Sequence, residues 1–513
     1  QAGLGKVRFE GRDNRYFHLD AFWLRAVDDL AAISWAEFQT EIQKQGGASE
    51  ERPGLLAASP WLREKPLDLL QRPDAANNLR DAYRLKENQR TLRQKEDPSA
   101  LVGVNRSVWG ASYDKLPDFE ESHSTVVSGK ILTVDPKAAT GGNTFRYLNS
   151  ALEEASPGDV IVIRHDGLLP LNLARMEKSA TNVTIKADSG FHPILTMGET
   201  IDADAALFTL HDGQLTLEGL ELRLQPQNDR FQAQVLVRMA QDGACTFKDC
   251  VITLKEVGHV SLAAVALADP SRAMKMDKDK PEARPERSVG TVPRVKFEHC
   301  FVRGDGDLVW VRASRPFDIE CSSSLVALNG SLLNVEAGRD DAPAPSAGQT
   351  ATVKLSRLTA YLGGYLVRLK AGRDLKSLIA IHCKGVADCL FVAANKKTTL
   401  IHLDGPNSTE DRMKSLVQWD GGNHNAYSDF DNLLDQQPDD PSFMPDAPYG
   451  QDKWKTFTGE TDGKFGSVKF ADAPAVDNLA QTKPLSFKLR DPDSQTPGVE
   501  RIDELPRPAN PDG

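Results

Sequence analysis

Short alternating segments of Leu, Val, Ile, Phe and Thr recur between 129 and 405, each closed by Gly, Asp or Asn, and this repetition constrains the fold more than any other property of the chain. Three segments read almost as copies: LFTLHDGQLTLEGLELRL at 207–224, VRMAQDGACTFKDCVITL at 237–254 and VPRVKFEHCFV at 292–302. Each joins two pieces of period two through a polar pair, Glu218-Gly219, Lys248-Asp249 or Glu298-His299. That spacing turns a strand through a corner instead of reversing it in a hairpin. A single coil of this kind cannot bury its apolar face, so the coils must stack, and the pattern predicts an all-β solenoid, a single-stranded parallel β-helix.

The solenoid is expected over 125–435, with charged or Pro-rich loops inserted at 271–290 and 337–349. At its start, Phe145, Leu148, Leu152 and Ala155 share a helical face, and Pro157-Gly158-Asp159 turns the chain into a strand. A helix there would cover the open end of the first coil. Residues 1–124 have a different texture. Leu24, Val27, Leu30, Ile33, Phe38 and Ile42 fall at helical spacing, with Ser34 before Trp35-Ala36-Glu37 as a cap, and 66–95 is a second helical stretch, so 1–124 is predicted to be a helical extension. Residues 436–513 are expected to form a C-terminal cap and a proline-rich tail that wraps back along the solenoid.

The chain carries 62 Lys and Arg against 73 Asp and Glu, a net charge of -11. Without a basic stripe, an acidic surface argues against nucleic acid as a partner. No run of apolar residues reaches the length of a membrane span. The opening QAGLGKVRF has neither Met nor an apolar leader, as expected of part of a longer chain. All six cysteines lie within the coils. Cys250 in FKDC, Cys300 in FEHC and Cys321 in DIEC are expected at equivalent inward positions as buried thiols, since no Cys-x2-Cys pair suggests zinc.

The coil repeats, together with SALEEASPGDVIVIR at 150–164, TNVTIKADSGFHPILTM at 181–197 and LTLEGLELRL at 215–224, resemble the right-handed parallel β-helix, pectin-lyase-like superfamily. They are also similar to extracytoplasmic β-helix regions of planctomycete membrane proteins, some joined to kinase-like domains. No kinase motif stands in this chain. The resemblance implies an extracytoplasmic, periplasmic or secreted, location and carbohydrate or envelope partners. Lyases of the superfamily use a calcium-binding acidic cluster with a basic proton abstractor, and its hydrolases use clustered aspartates.

Three groups of residues are candidates for a site. Asp305, Asp307 and Asp318, with Arg303, Arg312 and Arg315 nearby in RGDGDLVWVRASRPFD, could flank a glycosidic oxygen. Asp305 and Asp307 could instead hold Ca2+ while Arg312 or Arg315 abstracts a proton, or Gly-Asp-Gly-Asp could simply be a tight corner. Trp419, Asn423, His424, Asn425 and Tyr427 combine aromatic faces with short polar groups, suited to sugar binding or to a capping turn. His165-Asp166, His211-Asp212 and Gln241-Asp242 each precede a glycine and could stack at one corner.

The expected function is a non-catalytic ectodomain that binds a glycan, an envelope polymer or a protein partner, with no cofactor. A polysaccharide lyase or glycoside hydrolase at the acidic cluster, with Ca2+ in the lyase case, and a structural envelope spacer are the alternatives.

Overall fold

The computed structural model describes residues 15–17, 23–26, 30–33, 40 and 54–56, and then 129–509 except 140, 177–181, 269–291, 313, 339–344, 346–348, 396–397, 421, 423, 441, 443–447, 473, 475, 491–496 and 500–501. The chain divides into two compact units, 1–125 and 126–513.

In the first unit Arg15–Phe17 and Gly54–Leu56 pair in parallel, while Trp23–Ala26 and Leu30–Ile33 pair antiparallel, Trp23 opposite Ile33 and Ala26 opposite Leu30. The helix expected through Leu24, Leu30 and Ile33 is therefore corrected to a strand pair at these positions. A short apolar run satisfies both periods, and the three intervening residues, Val27-Asp28-Asp29, supply turn chemistry that the helical reading ignored. The helical stretch expected at 66–95 and the loop at 271–290 lie outside the described residues, as does most of 337–349.

The second unit is a right-handed parallel β-helix. Three parallel sheets of 11, 10 and 9 strands run its length, and each coil contributes one strand to each sheet in turn. The fourth coil shows the plan: Ala244–Lys248 in the first sheet, Val251–Leu254 in the second and Ser261–Leu267 in the third. The expected corner follows from its backbone. Gly219, Asp249, His299, Ser323, Arg357, Asp388 and His424 stand between first- and second-sheet strands, and all have φ between 46° and 63°. A left-handed residue at one fixed position bends seven successive coils in the same place, and Asp and His are among the residues found there because their side chains can bond locally. Asp249 and His299 are joined at 2.5 Å, and Asp388 and His424 at 2.9 Å, along this column.

Alternation along the strands fills the interior. Leu217, Phe247, Phe297, Cys321 and Leu355 stand in register, and the Phe247 and Phe297 rings stack at 4.8 Å. Cys250 and Cys300 occupy the corner position that Ser324 holds in the next coil, whereas Cys321 lies within its strand, so the expected equivalence of the three is corrected to two. The acidic residue shared by FKDC, FEHC and DIEC is not a register mark. All six thiols are free and buried, and burial raises those of Cys245 and Cys389 above the ordinary range. The Asp-Gly corners are likewise not all equivalent: Asp166 precedes a second-sheet strand, while Asp212 and Asp242 precede first-sheet strands.

Helix α1 (Leu148–Glu154) buries Leu148 and Ala151 near the first coil. Helix α2 (Glu410–Leu416), capped by Thr409 and carrying Glu410 and Asp411 in its first turn, leads into the last coil. Helix α3 (Gln451–Thr458) brings the fully buried Trp454 against Trp419 and Tyr427 beyond that coil. The tail then returns over the outer face of the second sheet. Phe470, Leu479, Phe487 and Leu505 cover Val251, Phe301, Leu325, Tyr361 and Leu390, and the Ala509 N–H reaches Glu221 at 2.7 Å. No helix among the described residues is long and apolar enough to cross a membrane.

Candidate functional site at the C-terminal end of the third sheet

The structure distributes the first acidic group over two places. Asp305 and Asp307 close the corner between the second and third sheets, and Asp318 begins a first-sheet strand opposite Arg294. Asp305 accepts from Asn329 Nδ2 at 2.8 Å and from the Glu256 N–H at 3.1 Å. Asp307 accepts from the Ser331 N–H at 2.7 Å and from Asn334 Nδ2 at 2.8 Å, while burial pushes its carboxyl up. Arg312 turns instead to Asp204, and Arg315 to the carbonyls of Met239 and Gln241. Arg303 lies buried beneath the tail, donating to Thr253 and to the Thr482 carbonyl.

Each of the four oxygens of Asp305 and Asp307 accepts one amide hydrogen, so both carboxylates tie one corner to the next. Among the described residues no three His, Cys, Asp or Glu side chains form a metal-holding group. Glycine explains the local sequence better. Cβ atoms at Gly306 and Gly330 would lie 2.6 Å from the Leu262 carbonyl and 2.1 Å from the Gly306 carbonyl, so successive corners touch backbone to backbone.

The second group forms part of the end closure. The Asn425 amide is shared between the Cys389 N–H, the Val386 carbonyl and Glu460, and the Tyr427 hydroxyl donates to Glu460 at 2.6 Å. Trp419 packs edge-on against Trp454 at 5.1 Å. His424 remains partly exposed beside Asp388, and Asn423 lies outside the described residues.

A cluster of interacting charged groups lies elsewhere. Thr209, Arg238, Ala266, Trp310, Asn334, Arg368, His402 and Asp435 stand in register along the outer face of the third sheet. At the C-terminal end of this column His402 is bound on both ring nitrogens, Nδ1 to Asp435 and Nε2 to Asp404 at 2.9 Å. Arg368 Nε donates to Asp404 at 2.8 Å, Thr399 Oγ1 donates to Asp435 at 3.0 Å, and the Tyr365 ring stacks on the imidazole at 4.5 Å. Desolvation alone would lower the pKa of His402. The bonds to Asp404 and Asp435 and their charges outweigh it and hold the imidazole near 9, so it is an imidazolium at neutral pH. His402 in turn keeps Asp404 at about 2, with Arg368 assisting against burial.

One hollow has Asp435 of this cluster in its wall, and a second shares Asn432 with the first. The smaller, of about 190 Å³, has Asp435, Glu410 and Ser408 beside Met413, Leu434 and Tyr449. The larger, of about 380 Å³, sets Asp429 and Asp431 against Tyr427, Phe430 and Phe465. Sequence reading missed the cluster because its members are about one coil apart, 33 residues between His402 and Asp435. Superposing coils would have placed Arg368, His402 and Asp435 in one column.

The raised pKa of His402 gives stability a sign. The pair's contribution is fully present below the unfolded value of about 6.5 and is lost as pH rises through the folded value near 9. Urea unfolding from pH 6 to 10 should lose on the order of 1 to 3 kcal/mol from this group, a slope that His402→Gln abolishes. A wild-type profile parallel to that of the variant would contradict the assignment.

No protein-family model matches the chain, and no curated protein matches it. Function is therefore read from the chemistry of the face itself.

Proposed function

We propose that this chain is an extracytoplasmic β-helix domain of the pectin-lyase-like type that binds a glycan or envelope polymer without cleaving it, at the C-terminal end of the third sheet. The observation that carries the reading is the pair of hollows that share Asn432, with aromatic or aliphatic walls and short carboxylate, amide and hydroxyl rims. Apolar surface that accepts a sugar face, beside groups that bond its hydroxyls, is the composition of a carbohydrate site. His402, tied to carboxylates on both nitrogens and held charged, supplies no base for turnover, so the alternative of a hydrolase would have to run through Asp429, Asp431, Asp435 or Glu410. A base needs a free lone pair and a pKa near the working pH, and His402 has neither. No cofactor enters this reading. Its extracytoplasmic location rests on the resemblance of the coil motifs.

Affinity electrophoresis through gels carrying neutral, amino and acidic polysaccharides tests it. At least one polymer should retard the protein, and Asn432→Ala should weaken that retardation about tenfold, equivalent to about 1.4 kcal/mol. Retardation equal in Asn432→Ala and wild type would place any binding elsewhere.

A further inference from the structure

Near the middle of the third sheet the outward column carries a second, independent feature. The Arg312 guanidinium lies over the Trp310 ring, 4.0 Å from its centroid, and its Nη1 is paired with Asp204 Oδ2 at 2.5 Å. Its Nε and Nη2 are shielded from solvent and have no bonded partner among the described residues, and the same holds for the indole Nε1 of Trp310. These are donors only, so what they lack is an acceptor. Nε and Nη2 form the side edge of the guanidinium, whose two parallel N–H groups match two oxygens of a single carboxylate, sulfate or phosphate.

Local charge points the same way. Asp204 is shared: Arg238 Nη2 takes its other oxygen at 2.7 Å and its backbone carbonyl at 2.7 Å. Arg175 and Asp202 also act electrostatically on Arg238. Among the described residues, the charges that act on Arg238 are thus Arg312 and Arg175 against Asp204 and Asp202, three guanidinium groups to two carboxylates. Shielded donors left unpartnered are costly, and so is unbalanced charge. A single bound oxyanion removes both costs.

We propose that the Nε and Nη2 edge of Arg312 and the indole N–H of Trp310 form an oxyanion site, separate from the His402 cluster. Asp204 holds the guanidinium from its opposite side, so the edge is oriented before the anion arrives. The anion takes the two parallel N–H groups of Arg312 first, with the Trp310 N–H as a further donor. Its source is either a free inorganic oxyanion or an anionic group carried on a glycan.

The test is calorimetric titration of the purified chain with sodium sulfate, sodium phosphate and sodium acetate at constant ionic strength, chloride serving as the control. Dextran sulfate and dextran form the second arm. Saturable binding of at least one oxyanion is expected, weakened about tenfold in Arg312→Lys, which keeps the charge but not the fork, and several-fold in Trp310→Phe, which keeps the ring but not the donor. Circular dichroism of both variants confirms that the coils persist. Sulfate or phosphate binding alone identifies a free anion, and tighter binding of dextran sulfate than of both dextran and inorganic sulfate identifies a glycan-borne one. Heats indistinguishable from chloride in both arms, or equal affinity in the wild type and both variants, overturn the site. Neither result bears on retardation at Asn432, so failure here and failure of the glycan reading are separable.

Discussion

Removal of 468–513 is expected to destabilise the β-helix severely and to make it associate. The deleted tail carries Phe470, Leu479, Phe487 and Leu505, all buried on the outer face of the second sheet. At about 1.5 to 3 kcal/mol for each large side chain, their burial is worth roughly 6 to 12 kcal/mol as an upper estimate. The loss is compounded on the other side of the contact. Phe301, Leu325, Tyr361 and Leu390 would face water as one contiguous apolar patch on a long sheet. Polar contacts vanish as well, among them the bonds from Asn329 to the Val476 carbonyl and from the Val499 N–H to Thr359. Thermal unfolding, dye binding and size-exclusion chromatography should show a much lower Tm, strong dye fluorescence and high-mass species. A monomer with unchanged Tm would mean that the tail is a passenger on a self-sufficient sheet. Phe487→Ala in the full chain gives a graded version, expected to cost about 3 to 5 kcal/mol.

Gly304→Ala is expected to be nearly as damaging, although it adds one methyl group. Gly304 has φ 113°, and a Cβ there would sit 1.8 Å from the Leu254 carbonyl oxygen of the coil before. Backbone strain of about 1 to 2 kcal/mol adds to overpacking of about 1 to 3 kcal/mol or more, because the clash is with main chain that cannot rotate away. Gly219→Ala is the control. Its φ is also positive, at 63°, but nothing lies within 4 Å of a Cβ, and Asp249 and His299 already stand at equivalent corners. Unfolding free energies from urea titrations should therefore fall by about 3 kcal/mol or more for Gly304→Ala and by about 1 kcal/mol for Gly219→Ala. Equal losses would show that conformational strain, not close approach of coils, sets the cost.

These two glycines illustrate what the sequence discloses. The corner at Glu218-Gly219 is readable because local chemistry determines it, and the same bend recurs at each copy. The parallel stack follows from period-two segments too short to bury themselves. Register between coils is less legible. Cys321 shares its acidic neighbour with Cys250 and Cys300 yet lies one position class away, because pairing is set by the whole strand and not by three residues. The N-terminal strands were missed for a related reason: Leu24, Leu30 and Ile33 satisfy a helical stripe and a strand pair alike.

The proposed face was the least legible part. Gly304-Asp305-Gly306-Asp307 drew attention as a cluster in sequence, but its carboxylates are consumed in tying one corner to the next. His402 and Asp435 come from successive coils and are conspicuous only once these are stacked. Tyr427 and Asn425 stand at the same end of the molecule as the proposed face. They support that end through Glu460, and the polar rims beside them belong to Asp429, Asp431 and Asn432.

The central claim, a β-helix that binds a polysaccharide and leaves it intact, is tested most directly by following retention and cleavage in one incubation. Immobilised neutral, amino and acidic polysaccharides would be incubated with the protein at pH 7, with bound protein and released reducing ends and unsaturated products measured together. Saturable retention with product no greater than in a protein-free control is the predicted result. Time-dependent release of saccharide from any polymer that retains the protein would contradict it and make this face an active site.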